Sequence, residues 1–270
     1  MDIAHCTLDG VDYTAVRFQQ LPPADLEAKR RNLTCVRCGQ QAFFRKKAAS
    51  GRAACFGARP HAPGCGMAAE DHLRVESGIG PDEAITHNTD VLVVDLNFGA
   101  VQGAPHLQDD GQADPGRRGG RHLHGDGQRT ARTHRRLSTL LKHLRSSAAF
   151  GASDQAIEIG GIEGRTLRDF FVEFPALQPR HFDRLAGCWG LVTDAGERDG
   201  TVWLNSGGRG DISIGIPDHI WPEFKRRFRV DDLEDLAGAY VLAVGTPSRS
   251  QYGKRYLIVD DIEFVTASLA

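Results

Sequence analysis

The pattern of apolar and polar positions changes character twice along this chain, dividing it into three stretches. In the first stretch, Ile3 to Leu8 and Tyr13 to Phe18 read as strands on either side of Asp9-Gly10, a strong hairpin turn signal. Pro22-Pro23 precedes a short helix expected over Ala24–Arg31. Residues 34–66 hold much Cys, Gly, Arg and Ala but few large apolar side chains, too few to build a core unaided. In the second stretch, residues 90–98 form the clearest isolated strand. The unbroken run Val91–Val94 is what a strand buried on both faces would show. Residues 99–130 have no apolar period and predict a long mobile loop. From Thr133 a helix is expected, because Leu137, Leu140, Leu141 and Leu144 fall at i, i+3, i+4 and i+7.

The third stretch is strand-rich. Strands are expected over 184–194, 200–205, 211–217, 239–247 and 254–267. Ile220, Phe224 and Phe228 make a helical stripe between the third and fourth. Three strands, a helix and two strands is the element order of an OB-fold, a five-stranded Greek-key barrel. The fold class expected is therefore α+β. A hairpin and metal module spans 1–66, a small α/β segment 67–175, and an OB-like five-stranded β-barrel with one helix 182–270.

Composition adds a compartment. No apolar run approaches the ~20 residues that span a bilayer, and MDIAHCTLDGVDY does not resemble a secretory leader. The expectation is a cytoplasmic chain of bacterial type that does not enter membranes. Structural disulfides are rare in that setting, so the six cysteines need another role. Four of them, Cys35, Cys38, Cys55 and Cys65, fall within one short stretch. Cys35-Val-Arg-Cys38 has the C-x2-C spacing that lets two thiolates reach one ion from a tight turn, and Gly39 follows it. Thiolate-rich tetrahedral sites suit zinc, so zinc is the expected cofactor, with an iron–sulfur cluster as the rival. His61 is the reserve ligand, able to replace Cys55 or Cys65. Cys6 and Cys188 read as buried apolar positions inside strands.

These residues carry a family resemblance. The run CTLDGVDYTAVRF, then TCVRCGQQAFFRKK, then ACFGARPH resembles the start of CoiA-type competence proteins over residues 1–66. That start is a hairpin, a C-x2-C knuckle, a strand and a His-Phe-x-x-His-like segment. Cys55-Phe56 stands where the family has His-Phe, and its next histidine would fall near Ala58. The resemblance then requires His61 or Cys65 as the last ligand. It also implies a link to DNA; only this link and the knuckle carry over, because no nuclease core is evident downstream.

Charge changes the picture most. The net charge of −2 hides a segment, 116–145, with nine Lys or Arg residues and one acid, Asp126. A chain can bind a polyanion through such a segment whatever its total charge. The candidate nucleic-acid contacts are Arg117, Arg118, Arg121, Arg135, Arg136 and Lys142 here, and Arg209, Arg249, Tyr252, Lys254 and Arg255 in barrel loops. Trp203 on the second barrel strand is the candidate for stacking a base, with Trp189 a second. No phosphate-binding loop, nucleophile elbow, zinc-protease helix or dinucleotide fingerprint occurs. The sequence therefore favours binding over catalysis: a zinc-containing protein for nucleic acid, DNA before RNA, and single strands before duplex. One rival is a magnesium-dependent nuclease using Asp90, Asp95, Asp154 and Glu158, although no lysine follows Glu158 at the spacing such sites use. The other is a protein-interaction module.

Overall fold

A computed structural model describes residues 1–47, 53–68, 91–96, 132–160, 162–208 and 210–269. The expected loop 99–130, with Arg117, Arg118 and Arg121, lies outside the described residues, as do Asp90 and Arg209.

The N-terminal hairpin forms as expected, with β1 (Ile3–Cys6) antiparallel to β2 (Val11–Thr14) and Gly10 at φ +72° in the turn. The second strand ends earlier than its apolar pattern suggests. Thr14 Oγ1 accepts from Arg17 N at 3.3 Å and caps α1 (Ala15–Gln19), which turns Phe18 into the interior. The next helix, α2 (Pro23–Lys29), starts with Pro at its first position, where no N–H is missed. β3 (Leu33–Thr34), β4 (Gln41–Arg45) and β5 (Cys55–Ala58) complete a five-stranded sheet in the order β2-β1-β3-β4-β5. Its core is small and largely aromatic: Phe18, Phe44 and Phe56 meet with ring centroids 4.9–5.3 Å apart.

The middle region is a second sheet, ordered β7-β6-β8-β9. It contains β6 (Val91–Asp95), β7 (Arg132–Arg136), β8 (Ala156–Ile159) and β9 (Ile162–Thr166), with β6 parallel to both neighbours. Between β7 and β8 run α3 (Leu137–Ser146) and α4 (Ala148–Gly151). The expected leucine stripe is buried in full. Arg135 and Arg136, however, lie in β7 and not on the helix. β6 alternates rather than burying both faces: Leu92 and Val94 are in the core, Val91 and Val93 only half-buried.

α5 (Leu167–Phe170) and β10 (Phe171–Glu173) lead into the strand-rich region. There follow β11 (Ala186–Leu191), β12 (Asp194–Arg198), β13 (Thr201–Asn205), β14 (Ile212–Pro217), α6 (Trp221–Phe228), β15 (Tyr240–Gly245), β16 (Ser248–Arg249), β17 (Arg255–Ile258) and β18 (Val265–Ser268). The expected closed barrel is not what forms. Two sheets, β10-β11-β15-β18 and β12-β13-β14-β17-β16, enclose one aliphatic core. Two of the five expected strands bend and change sheets. Between β11 and β12, Val192 still bonds Ala239, while Thr193 has moved to Asn205. The expected last strand is broken by a 3-10 turn at Ile262–Phe264 into β17 and β18. A strand that switches partners at a bend makes a corner, the device by which two packed sheets share strands.

The four-stranded sheet is covered on both sides. Cys188, Val241 and Ala243 face the inner core, while Leu191, Leu242 and Val244 face a second core with α3 and the middle sheet. All six residues of β15 are consequently buried, as its unbroken apolar run suggests. The five-stranded sheet differs: Val202, Leu204, Ile214 and Leu257 face the core, and among the described residues no second apolar layer packs on its outer face. No described helix is long and apolar enough to cross a membrane.

The N-terminal sheet is fastened to the strand-rich region by Phe43 and by charge. The Phe43 ring fills the space above Gly57 on one side and Gly238 on the other, where a side chain at either glycine would collide with it. Arg30, 1% exposed, donates to both Glu234 carboxylate oxygens and to the Phe44 carbonyl. Arg45 Nε donates to Ala237 O at 2.8 Å, and Gln41 Nε2 to Ser206 O at 2.9 Å.

Candidate functional site

Two features outside the ordinary core have chemical character. The first is a cluster of donors beside β5. The ligating atoms of Cys35, Cys38, His61 and Cys65 all lie within 4.8 Å of one another. The knuckle makes its own half of this arrangement. Cys35 N donates to Gln40 O and Gly39 N to Cys35 O, at 2.8 and 2.9 Å, and Gly39 takes φ +68° to close the turn. The 59–65 turn brings the other half, with Cys65 N donating to Ala62 O at 3.1 Å.

The donor separations fit one tetrahedral ion. Thiolate bonds of about 2.3 Å and imidazole bonds of about 2.0–2.1 Å would put sulfurs about 3.8 Å apart and sulfur and nitrogen about 3.6 Å apart. Cys35 Sγ and Cys65 Sγ are 3.9 Å apart, and Cys38 Sγ and His61 Nδ1 are 3.5 Å apart. The electrostatics agree. Backbone hydrogen bonds from Ala62 and then Gln40 pull the Cys38 thiol down to about 6, so it is readily a thiolate. Cys65 is held above the ordinary thiol range: a backbone hydrogen bond from Met67 works against this, but burial and the neighbouring Cys38 and Cys35 outweigh it. Three sulfurs this close resist sharing negative charge, and a cation among them removes the conflict.

Cys55 is not part of this group. In β5, Phe56 and Ala58 point into the module's core, and strand alternation turns Cys55 and Gly57 to the other face. His61, the reserve ligand of the sequence reading, stands in its place. Cys6 and Cys188 are fully buried as expected, and burial pushes Cys188 up to about 12.

The second feature is the outer face of the five-stranded sheet. By register, Trp203 sits between Gly196 on β12 and Gly215 on β14. With no side chain beside it, its ring lies across Gly215, 2.9 Å from where a Cβ would stand. Tyr256, on the next strand but one, meets it edge-on with centroids 6.3 Å apart. Both rings are partly exposed, and Ile258 continues the strip at 42% exposure. The other half of this face is occupied by a polar network that pattern reasoning did not reveal. Arg31 Nε donates to both oxygens of Asp194 (3.1 and 2.9 Å), Asn205 donates to Asp194 at 3.2 Å, and Ser213 donates to Asn205 at 2.6 Å. Asp194, Asn205 and Ser213 are buried although they point outward, because the N-terminal module covers them.

The remaining candidates do not gather around Trp203. Lys254 is half-buried and donates to Asp211 O at 2.9 Å; burial, helped by Arg31, holds its ammonium below the usual lysine range. Arg249 and Arg255 are paired in register, and alternation places them on the opposite side from Tyr256. Their guanidinium groups lie over the Phe182 ring, at 4.7 and 6.0 Å. Tyr252, 88% exposed, stands at the tip of that hairpin. Lys142 is exposed on α3, Arg136 is exposed and Arg135 half-buried in β7. Trp189 packs against the second core. Of the proposed nuclease carboxylates, Asp90 lies outside the described residues; among those described the Cys/His cluster is the one group that could hold a metal ion, and Asp154 pairs with Arg168.

No family model matches this chain, and no curated protein matches it. The CoiA resemblance of residues 1–66 therefore gains no support. Among solved structures, the chain is similar to one in the S. pombe Stn1–Ten1 complex, with 14% identity and a TM-score of 0.24. That match covers 35% of this chain and 68% of the other. A superposition this loose says nothing about what this chain binds.

Proposed function

We propose that this chain is a zinc-containing, non-catalytic protein that binds nucleic acid, DNA before RNA and single strands in particular. The observation that carries the reading is the Trp203–Tyr256 strip on the half of an otherwise well-packed sheet that the described residues leave uncovered. A flat indole resting on glycine presents its π-face outward, and every base has a π-face to stack on it. An OB-like architecture supports the same reading. Taking β11–β12 and β17–β18 as two bent strands that each take part in both sheets, the order is first-second-third-fifth in one sheet and first-fourth-fifth in the other, the neighbours such a fold would have, spread over two packed sheets. Trp203 then lies on the second strand, on the face such folds use for single strands.

Zinc is the preferred ion because three sulfurs and one imidazole nitrogen surround a space for one metal, not for a multi-iron cluster. With all four positions filled by protein, no place is left for a reacting water, so the role is structural. A reducing, cytoplasmic setting belongs to the same proposal, since thiolate ligation requires reduced sulfur. So does the division into units 1–66, 67–175 and 182–270.

The test is incubation of the full chain with labelled single- and double-stranded DNA and RNA, with and without Mg²⁺. Retarded but uncut single strands are the expected result. Cleavage that needs Mg²⁺ would replace the reading by the nuclease one. No interaction with any nucleic acid would move it to a protein partner.

A further inference from the structure

The cations of this surface are of two kinds. Arg168, Arg198 and Arg226 each sit beside a carboxylate. Arg180, Arg184, Arg249 and Arg255 do not: among the described residues none of the four is in an ion pair. Yet the fold draws these four together from segments some 70 positions apart in sequence. Residues 177–184 are clipped to the β16–β17 hairpin at two points. Arg255 Nη1 donates to Leu177 O at 3.2 Å, and Asp183 N donates to Pro247 O at 2.9 Å. The clip places Phe182 under the guanidinium groups of Arg249 and Arg255. Arg180 and Arg184 lie on the same segment, close enough for their charge to hold His181 below the usual histidine range after burial has already lowered it. Asp183 is the only acid within residues 177–185 and 247–256. Arg180 Nε donates to His181 Nε2 and Arg255 to a carbonyl, but neither partner carries negative charge; like charges gathered without counter-charges raise the energy of the free protein, and a polyanion relieves that repulsion. A guanidinium resting on an aromatic ring is held in place with its edge free for a phosphate.

The position of this patch relative to the aromatic strip matters. β16 is the edge strand of the five-stranded sheet. Its Ser248 stands beside Tyr256 on the strip side, and its Arg249 stands beside Arg255 on the patch side. The two features are thus separated by one sheet edge. We propose that Arg180, Arg184, Arg249 and Arg255 form the phosphate-binding site of a single strand that crosses the β16 edge to lay its bases on Tyr256 and Trp203. The inference rests on the nucleic-acid reading above and extends it to a site of four arginines, two of which no sequence motif singles out.

The experiment measures binding of a fluorescein-labelled oligothymidylate of about 15 nucleotides to the full chain by anisotropy, across a salt series. The test variant is Arg180→Gln/Arg184→Gln/Arg249→Gln, which leaves Arg255 to hold Leu177. The control is Arg168→Gln/Arg226→Gln, which removes two exposed arginines elsewhere. Each single-strand phosphate contact adds about 0.7 to the slope of log K against log salt. The test variant should therefore flatten the slope by about 2 and weaken binding at least about tenfold at moderate salt. The control should behave as the parent, and an Arg→Lys version of the triple variant should keep most of the slope. A triple variant with the parent's slope overturns the patch. So does a control that flattens the slope as much, since net charge alone would then account for the effect. If Trp203→Ala still weakens binding in either case, the aromatic strip stands without the patch. A parent chain that binds no oligonucleotide at all removes the nucleic-acid reading and the patch together.

Discussion

The N-terminal module and the strand-rich region solve the same problem by different means. Residues 186–268 enclose about twenty buried side chains, nearly all aliphatic, between two sheets. Burial of side chains of that size contributes roughly 1.5–3 kcal/mol each against the entropy of ordering the chain. The N-terminal sheet has a core of twelve residues, of which six are alanines or similarly small cysteines: Ala4, Cys6, Ala15, Cys35, Ala42 and Ala58. Its 53–68 segment offers little apolar surface, and on the proposed reading what organises it is one ion held by Cys35, Cys38, His61 and Cys65. A core of the first kind tolerates local change, whereas a ligand-organised turn fails when its ion is lost.

The largest expected effect tests that contrast directly. Chelation, or Cys35→Ser with Cys38→Ser, should unfold the knuckle and the 53–68 turn, since structural zinc contributes on the order of 10 kcal/mol to small modules. Hydrogen exchange should show protection lost there and kept in β11, β13, β14 and β15. Joint loss of both regions would mean that Phe43 and Arg30 make them a single cooperative unit. Next in size, Phe224→Ala should cost about 3–5 kcal/mol, because its ring is fully enclosed by the aliphatic core. Calorimetry should record the loss with the metal content unchanged. Metal released by this change would mean that the two regions do not stand apart.

Smaller effects probe the seam between them. Arg31→Ala leaves Asp194 buried with only Asn205 donating to it, and should cost about 1–3 kcal/mol. The paired change Arg31→Ala/Asp194→Ala should cost less than the sum of the single changes; simple additivity would show that the two side chains do not interact in solution. Trp203→Ala should weaken oligonucleotide binding by about 1–3 kcal/mol while leaving the melting temperature almost unmoved. A fall in melting temperature with binding intact would make the indole a cover for Gly215 and nothing more. The smallest effect belongs to Cys55→Ser, which should change stability by less than about 0.5 kcal/mol and leave metal stoichiometry unaltered. His61→Ala should lower that stoichiometry. The reverse pattern would restore Cys55 as a ligand.

Much of this was legible in the residues. Asp9-Gly10 announced its hairpin, the four leucines of α3 their buried stripe, and the apolar run within 239–247 a strand. Each of these depends on neighbours a few positions away, so a linear pattern records it. The C-x2-C spacing likewise foretold half of a ligand set, because a tight turn joins its two thiolates locally.

What the linear pattern did not carry has a common cause. Cys55 and His61 compete for one position, and which wins depends on the face that β5 turns to β4, a matter of pairing register. Lys254 and Arg255 look equivalent beside each other, yet strand alternation sends one toward Arg31 and Asp194 and the other toward Phe182. The bends at Val192–Thr193 and Ile262–Phe264, which make two sheets from one expected barrel, come from a change of hydrogen-bonding partner across the molecule. Local periodicity is set by 3.6- or 2-residue repeats and by turn chemistry, so the sequence alone determined most of the elements, the buried stripe of α3 and the existence of a cysteine knuckle. Partner choice is decided by contacts between residues far apart in the chain. The tertiary structure alone therefore selected His61, exposed Trp203 beside Tyr256, and brought four arginines to one sheet edge.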